Sequence, residues 1–129
     1  MVAVALDDMV GGETYVRKAP SMNILSIAEA FGDETGRVEV GIQPGEKLHE
    51  QMIGVEDAMN TYDYGDYYKI LPTIHLWDRA ADMVKGGRLV KADFEYVSHT
   101  NDEWMEVDEL RLWIKENLGG FSSTSSIVI

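Results

Sequence analysis

A chain of 129 residues, 45% hydrophobic and 26% charged with a formal net charge of −12, can bury a core as one globular domain or part of one. Its negative field disfavours nucleic acid, and zero cysteines exclude disulfides, cysteine-ligated metals and thiol chemistry, which suits a reducing cytoplasm. The apolar runs are too short to span a bilayer and Met1 to Asp8 lacks the basic flank of a signal peptide, so a cytoplasmic chain without a membrane partner is expected.

Residues 1–9 read as the last turns of a helix, ended by Gly11-Gly12. Thr14 to Arg17 is a short strand. Pro20-Ser21 opens a helix with Ser21 as N-cap, and Ile24, Ile27, Ala28 and Phe31 follow the spacing of one buried face. A turn at Gly32 to Gly36 leads into Arg37 to Ile42, where Val38, Val40 and Ile42 alternate as in a half-buried strand. Pro44-Gly45 closes a tight turn, because proline presets one φ and glycine accepts the next, positive one. The run from Glu46 to Ile53 reads as a helix.

Further on, Tyr67 to Leu71 is a strand stopped by Pro72, and Ile74 to Trp77 is a second candidate. Gly86-Gly87 breaks the chain, Phe94 to Ser98 is a short extended segment, and Val107, Leu110, Ile114 and Leu118 mark a final amphipathic helix. Gly119-Gly120 stops it, and 119–129 reads as a flexible tail. Trp104 and Trp113 are expected in the core. Too few strands are present for a complete doubly wound nucleotide domain. The fold class is therefore mixed α/β, a lobe rather than a whole enzyme.

Several residues invite a chemical reading. A helix starting at Glu46 would aim free N–H groups near Gly45 to Lys47, beside a lysine, and such groups hold phosphate. Arg17, Lys18, Arg37 and Lys47 fall close to the two best turn signals. The acids from Asp102 to Glu116 read as a solvated face. His49, His75 and His99 are too scattered along the chain for a metal motif, and read as packing or surface residues. The Tyr62, Tyr64, Tyr67 and Tyr68 cluster suggests sugar stacking, but a β-rich, half-exposed segment explains it more simply.

Three segments, in this order, are similar to one enzyme family. They are Gly11-Gly12-Glu13-Thr14-Tyr15-Val16-Arg17-Lys18-Ala19-Pro20-Ser21-Met22, then Gly41-Ile42-Gln43-Pro44-Gly45-Glu46-Lys47-Leu48-His49-Glu50, then Asp93-Phe94-Glu95-Tyr96-Val97-Ser98-His99-Thr100-Asn101-Asp102-Glu103-Trp104. Together they resemble the C-terminal part of the inverting UDP-N-acetylglucosamine 4,6-dehydratases, extended short-chain dehydrogenase/reductases of polysaccharide biosynthesis. The resemblance implies a UDP-sugar-binding lobe over residues 1–118. In the family an N-terminal Rossmann domain holds NADP, which oxidises C4 and returns hydride to C6 after water is lost.

This chain departs from that pattern. It has no G-x-G-x-x-G or G-x-x-G-x-x-G fingerprint, and no tyrosine is followed by lysine at the fourth position. No cofactor and no catalysis are therefore expected of the chain alone, and a separate Rossmann chain is the implied partner, with a homo-oligomer possible. The resemblance assigns substrate binding to Arg17, Lys18, Gln43 and Glu46. Arg17 or Lys18 would reach the diphosphate, against the alternative of a solvated basic pair. Glu46 would accept ribose hydroxyls, or stabilise a helix start, and the roles can coexist. Gln43 stands where the family usually has a phosphate-binding arginine; either Arg37 or another cation compensates, or the chain is a non-catalytic binding or interaction module descended from such an enzyme.

Overall fold

The computed structural model describes residues 1–32, 36, 38, 40–73 and 80–118. The strand expected at 74–77, Arg37, most of the 32–36 turn and the tail at 119–129 lie outside them. The chain forms two compact units. The first holds Met1–Ala19 and Lys47–Asn101; the second holds Pro20–Glu46 and the described residues from Asp102 onward.

In the first unit, α1 (Val2–Asp8) precedes β1 (Thr14–Arg17), both where the sequence predicts them. Then come β2 (Gln51–Ile53), a 3-10 helix (Val55–Asn60), β3 (Thr61–Asp63), β4 (Tyr67–Ile70), α3 (Ala80–Val84), β5 (Arg88–Leu89) and β6 (Tyr96–Val97). A four-stranded sheet runs β1-β4-β3-β5, and β2 pairs with β6; every pairing is antiparallel. The β3–β4 hairpin turns at Gly65, whose φ of 89° suits the first central position of a II′ turn. Around it Tyr64 N–H donates to the Tyr67 carbonyl at 3.0 Å, and Gly65 N–H to Asp63 at 2.8 Å. The tyrosine cluster is thus a hairpin, as the simpler reading has it.

Strand alternation gives this sheet two unlike faces. On one, Val16 and Tyr68 join Ile53 in a hydrophobic core, with Ile70, Val90, Phe94 and Tyr96 packed around it. On the other, Lys69 faces Tyr15 across the β1–β4 pair and is fully buried. Its ammonium meets Asp8 at 2.5 Å and lies over the rings of Tyr64 and Tyr15, 4.9 and 5.6 Å from their centres. Asp8 also accepts from the Tyr15 hydroxyl at 2.8 Å and pairs with Lys85 at 2.9 Å, while the Tyr64 hydroxyl donates to the Val84 carbonyl. The α1 C-terminus, the sheet and the α3 C-terminus are tied by one carboxylate and one buried cation.

In the second unit, α2 (Ile24–Phe31) packs on α4 (Val107–Asn117). Arg111 donates to the Glu29 carbonyl at 3.2 Å across that contact. A capping box between Glu106 and Glu109 starts α4.

Several expectations are corrected. The N-cap of α2 is Asn23, which accepts Leu25 N–H at 2.8 Å, because Ser21 is drawn into a parallel bridge with Trp104. Ile24 and Phe31 are exposed and Trp113 keeps 48% of its surface, since a two-helix contact covers only a narrow stripe, while Trp104, in the bridge with Ser21 outside either helix, keeps 51%. Val38, Val40 and Ile42 form no strand and are exposed; alternation alone makes no ladder without a partner strand. Residues 46–53 are not helical: Gln51 and Ile53 pair with Val97 and Tyr96, so tertiary pairing overrides local propensity. No described helix is long and apolar enough to cross a membrane.

Lysines 69 and 85 hold the Asp8 carboxyl well below the usual range, although partial burial opposes them. A depressed folded value means the pairing stabilises above about pH 4 and is lost progressively as pH falls below that. Burial lowers the Lys69 ammonium, but Asp8 and Tyr64 together raise it by more, so its share persists until strongly alkaline pH. Asp8→Ala is expected to cost about 3 kcal/mol, because it strands a buried charge, and Lys85→Ala about 1 kcal/mol or less. Asp8→Asn should flatten the loss of stability between about pH 5 and about pH 3, read from urea midpoints.

Candidate functional site

Arg17 and Lys18 leave β1 side by side in the first unit, yet they are held differently. Lys18 follows the core-facing parity of β1. Its ammonium pairs with Asp63 at 2.8 Å and lies 4.5 Å from the centre of the Tyr68 ring, and its N–H donates to the Asp66 carbonyl at 3.1 Å. Burial lowers the Lys18 value, but the Asp63 carboxylate and the Tyr68 ring and hydroxyl together outweigh it and the net direction is up. For Asp63 burial pushes up while Lys18 and the Gly65 N–H pull further down. Arg17 points to the opposite parity, is exposed, and makes no ion pair with any described residue.

The strand end is fixed by Ala19. Its N–H donates to the Tyr96 hydroxyl and its carbonyl accepts from that same hydroxyl, both at 2.9 Å, and the carbonyl also takes the Asn101 amide at 2.8 Å. Tyr96 and Asn101 belong to the third family-like segment, Ala19 to the first. Periodicity gives no signal for these bonds.

Gln43 and Glu46 lie in the second unit and are brought together by the expected turn. Glu46 N–H donates to the Gln43 carbonyl at 3.0 Å across Pro44-Gly45, and Gly45 has φ 95°, the value a type II turn needs at that place. The Glu46 carboxylate folds back to accept the Gln43 N–H at 2.8 Å. No helix follows, so the phosphate cradle expected at a helix start near Gly45 to Lys47 is not formed. Both side chains are exposed.

Two other features emerge. An open cleft of about 560 Å³ in the second unit is lined by Trp104, Trp113, Asp102, Glu103, Glu109 and Glu116 among others. Its carboxylates disfavour an anionic diphosphate. In the first unit, His49 and His99 stand with ring centres 4.5 Å apart, a proximity that their 50-residue separation hides.

Comparison with known proteins settles the family. The model of the polysaccharide biosynthesis protein family matches residues 1–72. The chain belongs to that family. It is 39% identical over 107 residues to a UDP-N-acetylglucosamine 4,6-dehydratase (inverting) from Campylobacter jejuni, a match covering 79% of this chain and 32% of that protein. It is 30% identical over 118 residues to a UDP-glucose 4-epimerase from Rickettsia prowazekii, covering 87% of this chain and 35% of that protein. The chain thus spans about a third of the length of these relatives. The solved structure titled "X-ray structure of Pen from Bacillus thuringiensis" superposes with a TM-score of 0.70 at 21% identity, over 90% of this chain and 35% of that one, and shares its fold.

The described residues do not fit the NADP that the dehydratase resemblance implies. Both sheets are antiparallel, and among the described residues no strand runs through a glycine turn into a helix N-terminus.

Lys18 and Arg17 should separate in a stability assay. Lys18→Ala removes a half-buried ion pair and a ring contact, and is expected to cost about 1–2 kcal/mol by urea unfolding. Arg17→Ala should stay within about 0.5 kcal/mol of the parent.

Proposed function

We propose that this chain is the UDP-sugar-binding portion of a nucleotide-sugar 4,6-dehydratase, completed by a cofactor-binding portion that supplies NADP and the catalytic groups. The observation that carries this reading is the 39% identity to the inverting dehydratase over 79% of the chain. Anchoring of Arg17 supports it. Its backbone is tied in place while its guanidinium stays uncommitted among the described residues, which suits bidentate contact with a diphosphate. Lys18 serves beside it by fixing the strand end through Asp63. In the second unit, Gln43 and Glu46 offer an amide and a carboxylate on a pre-formed turn, groups that hydrogen-bond phosphate oxygens and ribose hydroxyls respectively.

Gln43 itself favours a second reading, a non-catalytic binding or interaction module. An uncharged amide forfeits a charge-assisted bond of about 1.5–3 kcal/mol, about ten- to a hundredfold in affinity.

Titration calorimetry of the 129-residue chain with UDP and with UDP-N-acetylglucosamine distinguishes the two. The dehydratase reading expects binding of both, weakened about tenfold by Arg17→Ala and strengthened about tenfold or more by Gln43→Arg. Absence of heat with millimolar UDP, for both the parent and Gln43→Arg, would leave only the non-catalytic module.

A further inference from the structure

His49 and His99 are brought together by a short extension of the β2–β6 ladder. Gln51 pairs with Val97. One step beyond, Ser98 N–H donates to the Glu50 carbonyl at 2.8 Å and Glu50 N–H donates to the Ser98 hydroxyl at 3.0 Å. Each histidine follows directly on that bonded pair, His49 in a bend and His99 in a turn that Thr100 N–H closes on the Val97 carbonyl at 3.2 Å, so backbone hydrogen bonds hold both of their neighbours. Both imidazoles are exposed, and their planes are tilted by 34° at a centre-to-centre distance of 4.5 Å.

That spacing has a chemical meaning. Two imidazoles bound side by side to one ion, each through a metal–nitrogen bond of about 2.0–2.1 Å, have ring centres about 4.5–5 Å apart. Both side chains are exposed, so their torsions are free to turn one nitrogen of each ring toward a shared point. We infer that His49 and His99 form a two-imidazole chelate for a divalent ion of the late first transition row, such as Cu²⁺, Ni²⁺ or Zn²⁺. Imidazole prefers these ions to Mg²⁺ or Ca²⁺, which take oxygen ligands. Among the described residues no group of three histidine, cysteine or carboxylate side chains is placed to hold a metal, and a two-imidazole chelate leaves positions that water or a small external ligand can take. Binding would clip the open end of the β2–β6 ladder, and it stands independently of any UDP-sugar site.

Calorimetric titration of the full chain with Ni²⁺ in a non-chelating buffer tests the assignment. One ion per chain is expected. His49→Gln and His99→Gln should each lower affinity about a hundredfold, because a chelate gains that much from linking its two ligands. Saturating Ni²⁺ should raise the melting temperature of the parent but of neither ladder variant. Circular dichroism checks that the variants fold, as exposed positions lead one to expect. Three results overturn the chelate: no binding to the parent, equal affinity after both substitutions, or loss in only one variant.

Discussion

A lysine with no exposed surface is the constraint around which the first unit is organised. Transferring an ammonium out of water is costly unless an anion and further polar contacts replace its hydration. Lys69 has the Asp8 carboxylate and the faces of two tyrosines, contributed by the α1 C-terminus, β1 and the β3–β4 turn. Each contributor would otherwise have little to hold it. The helix α1 has no buried residue of its own, so its position follows from the Asp8 contacts rather than from an apolar stripe. The Tyr64 hydroxyl, pointing to the Val84 carbonyl, extends the same network to α3. Polar satisfaction thus does on one face of the sheet what apolar packing does on the other.

The family-like spelling has a structural explanation that precedes any ligand. Tyr96 and Asn101 hold Ala19, and Ser98 and Glu50 bond to one another. In the second unit Ser21 exchanges backbone bonds with Glu103 and Met105. All three segments supply residues to these ties. Part of what these segments do is therefore to fix distant loops to one another.

Local rules read the fold where an element needs only its own residues. The strand at Thr14 to Arg17, the strand from Tyr67 that Pro72 stops within a residue of its observed end, the final amphipathic helix and the Pro44-Gly45 turn follow from alternation, proline, helical spacing and glycine φ. They failed at residues 46–53, because a run of good helix formers lies where Val97 and Tyr96 offer a strand partner. They failed at Val38, Val40 and Ile42 for the converse reason, a strand pattern with no described strand to pair with. At the candidate site, residue types were legible but allegiances were not. Lys18 and Arg17 look interchangeable in a string of letters, whereas pleat parity sends one to Asp63 and the other to solvent. Asp8, Lys69 and the histidine pair were invisible, since each depends on partners about 50 or more residues away.

Charge distribution follows from the same internal pairing. A chain of net charge −12 presents an unfavourable field to any anion, so an anionic ligand depends on cations that the fold has not already used. In the first unit Lys69 and Lys85 are committed to Asp8, and Lys18, with Arg88 more distantly, to Asp63. Among the described residues of that unit, Arg17, Lys47 and Lys91 remain exposed without an ion pair. Of these, only Arg17 stands on a strand of the main sheet, and the residue two places on is fixed by three side-chain hydrogen bonds. A cation on a rigid support loses less entropy on meeting a diphosphate than one on a bend such as that near Lys47. Internal salt bridges therefore leave Arg17 as the uncommitted cation on the edge strand of the main sheet, among the described residues.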